Sequence, residues 1–133
     1  MNVITRIELR QLAKARLKES KTLFNAKQYD TAVYLCGYAV ELALKARICK
    51  TLKWSAFPPN GKEFKGFHAF KTHDLEVLLI LSGIGEKIIN HYSTEWSIVS
   101  RWNPENRYKT LGSESKQTAL DMIKAVEELL KAL

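Results

Sequence analysis

Two opposite charges interrupt the most apolar run of the chain. In YDTAVYLCGYAVELALKARI, Tyr29 to Ile48, Glu41 and Lys45 stand four residues apart among small and apolar neighbours. On a helix, at about 100° per residue, Tyr34, Tyr38, Glu41 and Lys45 fall on one narrow stripe. Glu ahead of Lys at this spacing is the favourable order for a helical ion pair, contributing ~0.2–0.5 kcal/mol when exposed. The stripe therefore reads either as a pair closing a seam between helices or as a polar groove floor carrying two tyrosine hydroxyls. A second set, Arg101, Trp102, Arg107 and Tyr108, brackets the segment RWNPENRY. A guanidinium grips phosphate or carboxylate through a planar fork, and an adjacent aromatic ring supplies a stacking face. This set is the first-ranked site for a phosphate-bearing ligand, and a salt bridge from Arg107 to Glu41 is the structural alternative. In either case Arg107 and Tyr108 are expected to close the polar seam whose floor is Glu41, Lys45, Tyr34 and Tyr38.

The remaining reactive residue types are sparse. His73 and Asp74 stand at a predicted helix start, where the dipole favours an anion and where capping is the plainer role. His68 and His73 lie five apart with no cysteine or third ligand nearby, so neither a metal nor another cofactor is expected. No Gly-rich phosphate loop and no Gly-x-Ser-x-Gly is found. Arg6, Arg10, Lys14 and Lys21 share one sector of the first helix, a basic stripe that serves solvation or an acidic partner. Lys53, Lys62, Lys65 and Lys71 interleave with Trp54, Phe57, Phe64, Phe67 and Phe70. Such a segment either stacks bases between phosphate contacts or pins itself onto the core or another subunit.

Positioning these groups falls to helices. Thr5 to Asn25 carries Leu9, Leu12, Ala15 and Leu23 at helical spacing, and a second helix runs from Tyr29 to Leu52 after a short connection. So short a link makes the two antiparallel neighbours. The second helix is apolar on nearly every side, which predicts a central position and a surplus of apolar surface for a homodimer to cover. Residues Lys53 to Lys71 hold Pro58, Pro59, Gly61 and Gly66 and read as a long loop. A helix restarts at Thr72 or His73 and closes at Gly83, one or two short helices follow with a new start at Ser93, and a closing helix runs to the C-terminus. The fold class is an all-α, up-and-down bundle of about five helices, forming one domain over the 133 residues.

Composition narrows the class of function. The net charge of +7 favours acidic partners such as nucleotides or RNA. No apolar run reaches the roughly 18 residues of a membrane helix, and the charged N-terminus lacks a signal-peptide core, so a cytoplasmic protein without membrane contact is expected. If both lie on the second helix, Cys36 and Cys49 are about 20 Å apart at ~1.5 Å per residue, too far to bridge.

The segments AVYLCGYAVELALKARI, FPP, THDLEVLL and WSIVSRWNPENRY, in that order, resemble the HEPN family, the helical domains shared by higher eukaryotes and prokaryotes. The resemblance implies a bundle that is usually dimeric and often partnered by a minimal nucleotidyltransferase in toxin–antitoxin or stress systems. It also aligns Arg107 and Tyr108 with the family's Arg-Tyr position. Nuclease members carry Arg followed four to six residues later by His near the last long helix. Here the last histidine is His91, ahead of both Arg101 and Arg107. Histidine is the natural acid or base for metal-independent RNA cleavage, so a binding module is the expectation and a ribonuclease toxin using other residues the alternative. A purely structural interaction protein is the third reading.

Overall fold

The structure is a computed structural model that describes residues 4–58 and 72–133, apart from the side chains of Asn106 and Arg107. Its elements are β1 (Ile4–Thr5), α1 (Arg6–Asn25), α2 (Tyr29–Leu52), β2 (Ala56–Phe57), α3 (Leu75–Leu81), α4 (Gly85–His91), α5 (Ser93–Val99), a 3-10 turn (Pro104–Tyr108) and α6 (Lys116–Ala132). The expected all-α helical bundle is what the chain forms. It has six α-helices among the described residues, because the run after Gly83 divides into α4 and α5 at Tyr92.

The hairpin α1–α2 is set by its ends. Thr5 Oγ1 accepts from Glu8 N–H (3.1 Å) while Glu8 Oε1 accepts from Thr5 N–H (3.2 Å), so the first turn satisfies its own donors. After α1, Lys27 takes a left-handed conformation (φ 62°) and Gln28 N–H returns to the Leu23 carbonyl (2.8 Å). That reversal folds α2 back along α1. Lys53 ends α2 in the same way (φ 58°), with Trp54 N–H on the Cys49 carbonyl (2.7 Å).

The bundle carries one short backbone pairing, Ile4–Thr5 antiparallel with Ala56–Phe57, Ile4 facing Phe57. The pairing fixes the residues just after α2 against the start of α1, so the segment from Lys53 begins as ordered chain. Helix α3 begins at Leu75, beyond the expected start, because Asp74 is the cap: its Oδ1 accepts from Glu76 N–H (3.0 Å). Thr72 instead accepts from Asp74 N–H (2.9 Å) and shapes the turn ahead of it. The aromatic and lysine positions Lys62, Phe64, Lys65, Phe67, Phe70 and Lys71, with His68, lie outside the described residues.

Helix α2 is central, as its composition predicts. It packs against α1, α6, α3, β2 and the 3-10 turn, and thirteen of its residues are buried. Helix α6, which packs on α2, buries Ala119, Met122, Ile123, Val126 and Leu129, a stripe with helical period. Trp96 on α5 is buried and its indole N–H donates to Glu76 Oε1 (3.0 Å), which ties α5 to α3. No helix among the described residues is long and apolar enough to cross a membrane.

Both cysteines are free and buried. Burial pushes the Cys36 thiol from 9.0 up to about 11, with the nearby Glu127 adding to the rise and the Ser20 hydroxyl partly offsetting it. Burial also raises Cys49 and Tyr38. Folding thus favours the neutral thiol. For Cys36 the resulting stability is complete below pH 9 and is lost as pH climbs toward about 11, at ~1.4 kcal/mol for each pH unit crossed. Urea titrations at stepped pH should therefore show stability falling between pH 9 and about 11, and Cys36→Ala should remove part of that slope. A stability profile that is flat across this range contradicts the burial of these groups.

Candidate functional site

Glu41 is the most consequential polar residue of the core. It is 1% exposed, in the middle of the helix that everything else packs around. Each carboxylate oxygen has a partner. Oε2 accepts from Lys45 Nζ at 3.2 Å, and Oε1 accepts from His73 Nδ1 at 2.9 Å. Lys45 also lies 5.4 Å from the Phe57 ring centroid, a cation–π contact that joins α2 to β2. The carboxylate therefore ties α2 to the chain just ahead of α3. With both oxygens engaged, it is a tether rather than a free general base.

The four residues of the stripe expected from sequence all lie on α2, and they have different surroundings. Glu41 is buried, Lys45 is mostly buried, and Tyr34 and Tyr38 are half-buried. Tyr34 packs on Trp102 with ring centroids 5.9 Å apart. Tyr38 faces an open groove of about 290 Å³ shared with Leu12, Arg16, Leu35 and Leu42. The second partner of Glu41 is His73, which sequence reasoning placed only as a cap or an anion site. The signal available was its position immediately before a helix start, which brings a ring to the flank of whichever helix α3 packs on. Arg107 lies in the 3-10 turn, its side chain outside the described residues, and Tyr108 is 70% exposed.

A cleft opens on another flank of α2. It encloses about 330 Å³ between α2, the end of α5, the segment 101–114 and α6. Its apolar wall is Val33, Ile98, Trp102 and Met122, and its charged groups are Arg101, Lys109, Glu114 and Asp121. Of the predicted site residues, Arg101 is therefore at this cleft and Glu41, Lys45 and His73 are elsewhere. A shallower space of about 200 Å³ continues it past Asp30 and Leu111.

Two devices missed by sequence reasoning build this cleft. Trp102 is buried with its ring against α2 where Gly37 stands: a Cβ on Gly37 would lie 2.1 Å from the indole Cγ. Glycine in mid-helix costs about 0.5–1 kcal/mol, and here it makes room for the ring. Asp30, in the first turn of α2, reaches across to the chain before α6. Its Oδ2 accepts from Gly112 N–H (2.7 Å) and its Oδ1 from Glu114 N–H (2.9 Å). Gly112 itself is left-handed (φ 80°). A mid-helix glycine was the one legible hint of the first device; the second joins residues far apart in the chain and left no local trace.

Among the described residues, no group of three or more His, Cys, Asp or Glu side chains could hold a metal ion. The geometry thus defines a class: an α-helical bundle with a buried, doubly tethered carboxylate and a mixed-charge cleft beside its last helix. The HEPN-domain family model matches residues 8–56, from the first turn of α1 through α2 into β2. HEPN domains are nucleotide- and RNA-related modules. The matched stretch contains Tyr34, Tyr38, Glu41 and Lys45, whereas Arg101, Arg107 and Tyr108 lie beyond it. No curated protein and no solved structure matches the chain.

Gly37→Ala should displace Trp102, destabilising the fold by about 1–3 kcal/mol as overpacking does, and should change Trp fluorescence in the native state. An unaltered denaturation midpoint would contradict the close approach of Trp102 to α2.

Proposed function

We propose that the chain is a non-catalytic binding module for a nucleotide or RNA, acting as a homodimer beside a minimal nucleotidyltransferase within a toxin–antitoxin or stress system. The observation that carries this reading is Arg101. Its guanidinium is exposed at the mouth of the cleft and has no ion-pair partner among the described residues. Lys109, paired with Glu114 at 3.4 Å, and the exposed Tyr108 ring share the same segment, so a second, partly neutralised cation and a stacking face accompany Arg101. The net charge of +7 adds a long-range attraction for phosphates.

The basic sector of α1 supports the reading less. Arg10 donates to the Leu133 carbonyl (3.2 Å) and Lys21 pairs with Glu127 (3.3 Å), so two of its four cations are engaged in holding the C-terminal helix. Dimerisation is supported by the open groove between α1 and α2, where Leu12 and Leu35 leave apolar surface at the edge of the core. The nucleotidyltransferase partner and the cytoplasmic setting rest on the HEPN likeness and the composition.

Anisotropy of a labelled oligoribonucleotide, with AMP and ATP tested by thermal shift, checks the proposal. Arg101→Glu with Lys109→Glu should weaken oligoribonucleotide binding at least tenfold and flatten its salt dependence, each lost phosphate contact reducing the slope by about 0.7. Sedimentation should give twice the 15.2 kDa chain mass. Absence of binding to all three probes at low salt contradicts the module, and a lone monomer contradicts the dimer. RNA cleavage in chelator would favour a ribonuclease instead.

A further inference from the structure

Two carboxylates in the cleft are left unexplained by a phosphate-binding role. The chain as a whole carries +7, yet the cleft beside α6 is balanced, with Arg101 and Lys109 against Glu114 and Asp121. A phosphate entering it would meet both anions. Lys109 and Glu114 neutralise each other at 3.4 Å. That leaves Arg101, without an ion-pair partner among the described residues, and Asp121, whose hydrogen bond there comes from the neutral Gln117 amide at 2.7 Å. The two line one cavity and are not paired with each other.

The space between them is apolar and small. Val33, Ile98, Trp102 and Met122 form its wall. At about 330 Å³ it lies near the lower bound of ligand pockets, which run from about 300 to 1,000 Å³, so it has room for a small molecule and not for a chain. The Trp102 indole N–H is buried and has no acceptor among the described residues, so a residue of the wall carries an unsatisfied donor. The lining is fixed before any ligand arrives, since Gly37 seats Trp102 and Asp30 anchors Gly112 and Glu114.

A cation and an anion without ion-pair partners among the described residues, with an apolar bed between them, are complementary to a small zwitterion with an apolar flank. We propose that this cleft binds a free α-amino acid with a large apolar side chain, its carboxylate on Arg101, its ammonium on Asp121 and its side chain against Trp102 and Met122. This goes beyond the nucleotide or RNA reading, which gives Arg101 to a phosphate and has no role for Asp121.

Calorimetry and thermal shift on the full chain decide it, with L-phenylalanine as probe and phenethylamine, 3-phenylpropionate and AMP as comparisons. L-phenylalanine should bind saturably and raise the melting temperature. Phenethylamine, lacking the carboxylate, and 3-phenylpropionate, lacking the amine, should each bind at least tenfold more weakly. Asp121→Asn, an exposed change on α6, should bring L-phenylalanine down to the level of 3-phenylpropionate and leave oligoribonucleotide binding unchanged. The proposal is overturned if L-phenylalanine gives no saturable binding up to about 10 mM, the millimolar range in which weak small-molecule binding still registers. It is equally overturned if Asp121→Asn leaves L-phenylalanine binding intact. Competition by AMP that Asp121→Asn strengthens would make the cleft an anion site, sinking the amino acid and sparing the phosphate reading.

Discussion

A carboxylate in the middle of a buried helix is the constraint around which this fold is arranged. Removing the Glu41 side chain from water without partners would be costly enough to unfold a small domain, since the effective penalty is several kcal/mol per ion. Two donors satisfy it from different directions. Lys45 comes from the next turn of the same helix, and His73 from beyond the segment that follows β2. The first contact is local and forms whenever α2 forms. The second exists only when the chain ahead of α3 has returned to α2, so the carboxylate selects one placement of α3 among the many that an all-apolar helix would accept.

The same logic of specific ties on an otherwise permissive helix recurs on its other flanks. Apolar packing alone would let α5 and α6 slide along α2. The missing Cβ at Gly37 gives Trp102 one seat, and Asp30 holds two backbone N–H groups of the chain before α6. Trp96 donating to Glu76 links α5 to α3. Because α3, α4 and α5 have seven residues each, they hold too few turns to be stable alone, and tertiary ties supply what their length does not. The cleft beside α6 is a consequence: its walls are the elements that these contacts position.

Much of the fold was legible in the sequence because its signals are local. The periodic apolar residues of α1 and α6, the polar break before Tyr29 and the restart at Ser93 all act within a turn or two. The HEPN likeness was legible in the apolar run of α2, which the family match includes. What escaped was set by tertiary distance. His73 to Glu41 spans 32 residues and Asp30 to Gly112 spans 82, and neither residue type announces its partner. The two-residue strands left no period to read because they are too short to show one. Among the candidate site residues, those of the charged stripe on α2 owe their burial to what covers them, which the helix's own sequence does not specify. Arg101 was singled out for its chemistry, whereas Asp121 on α6 looked like any solvated residue of an amphipathic helix until the cleft was seen.

Coupling between Glu41 and His73 adds a specific tie to the apolar packing of Leu75, Leu78 and Leu79 that holds α3 in place. A double-mutant cycle with Glu41→Gln, His73→Ala and the pair, followed by urea denaturation, measures it directly. The expected coupling energy is about 1 kcal/mol or more, in the range of contacting residues in one network, with Glu41→Gln the more destabilising single change. Strict additivity of the two substitutions would contradict the coupling.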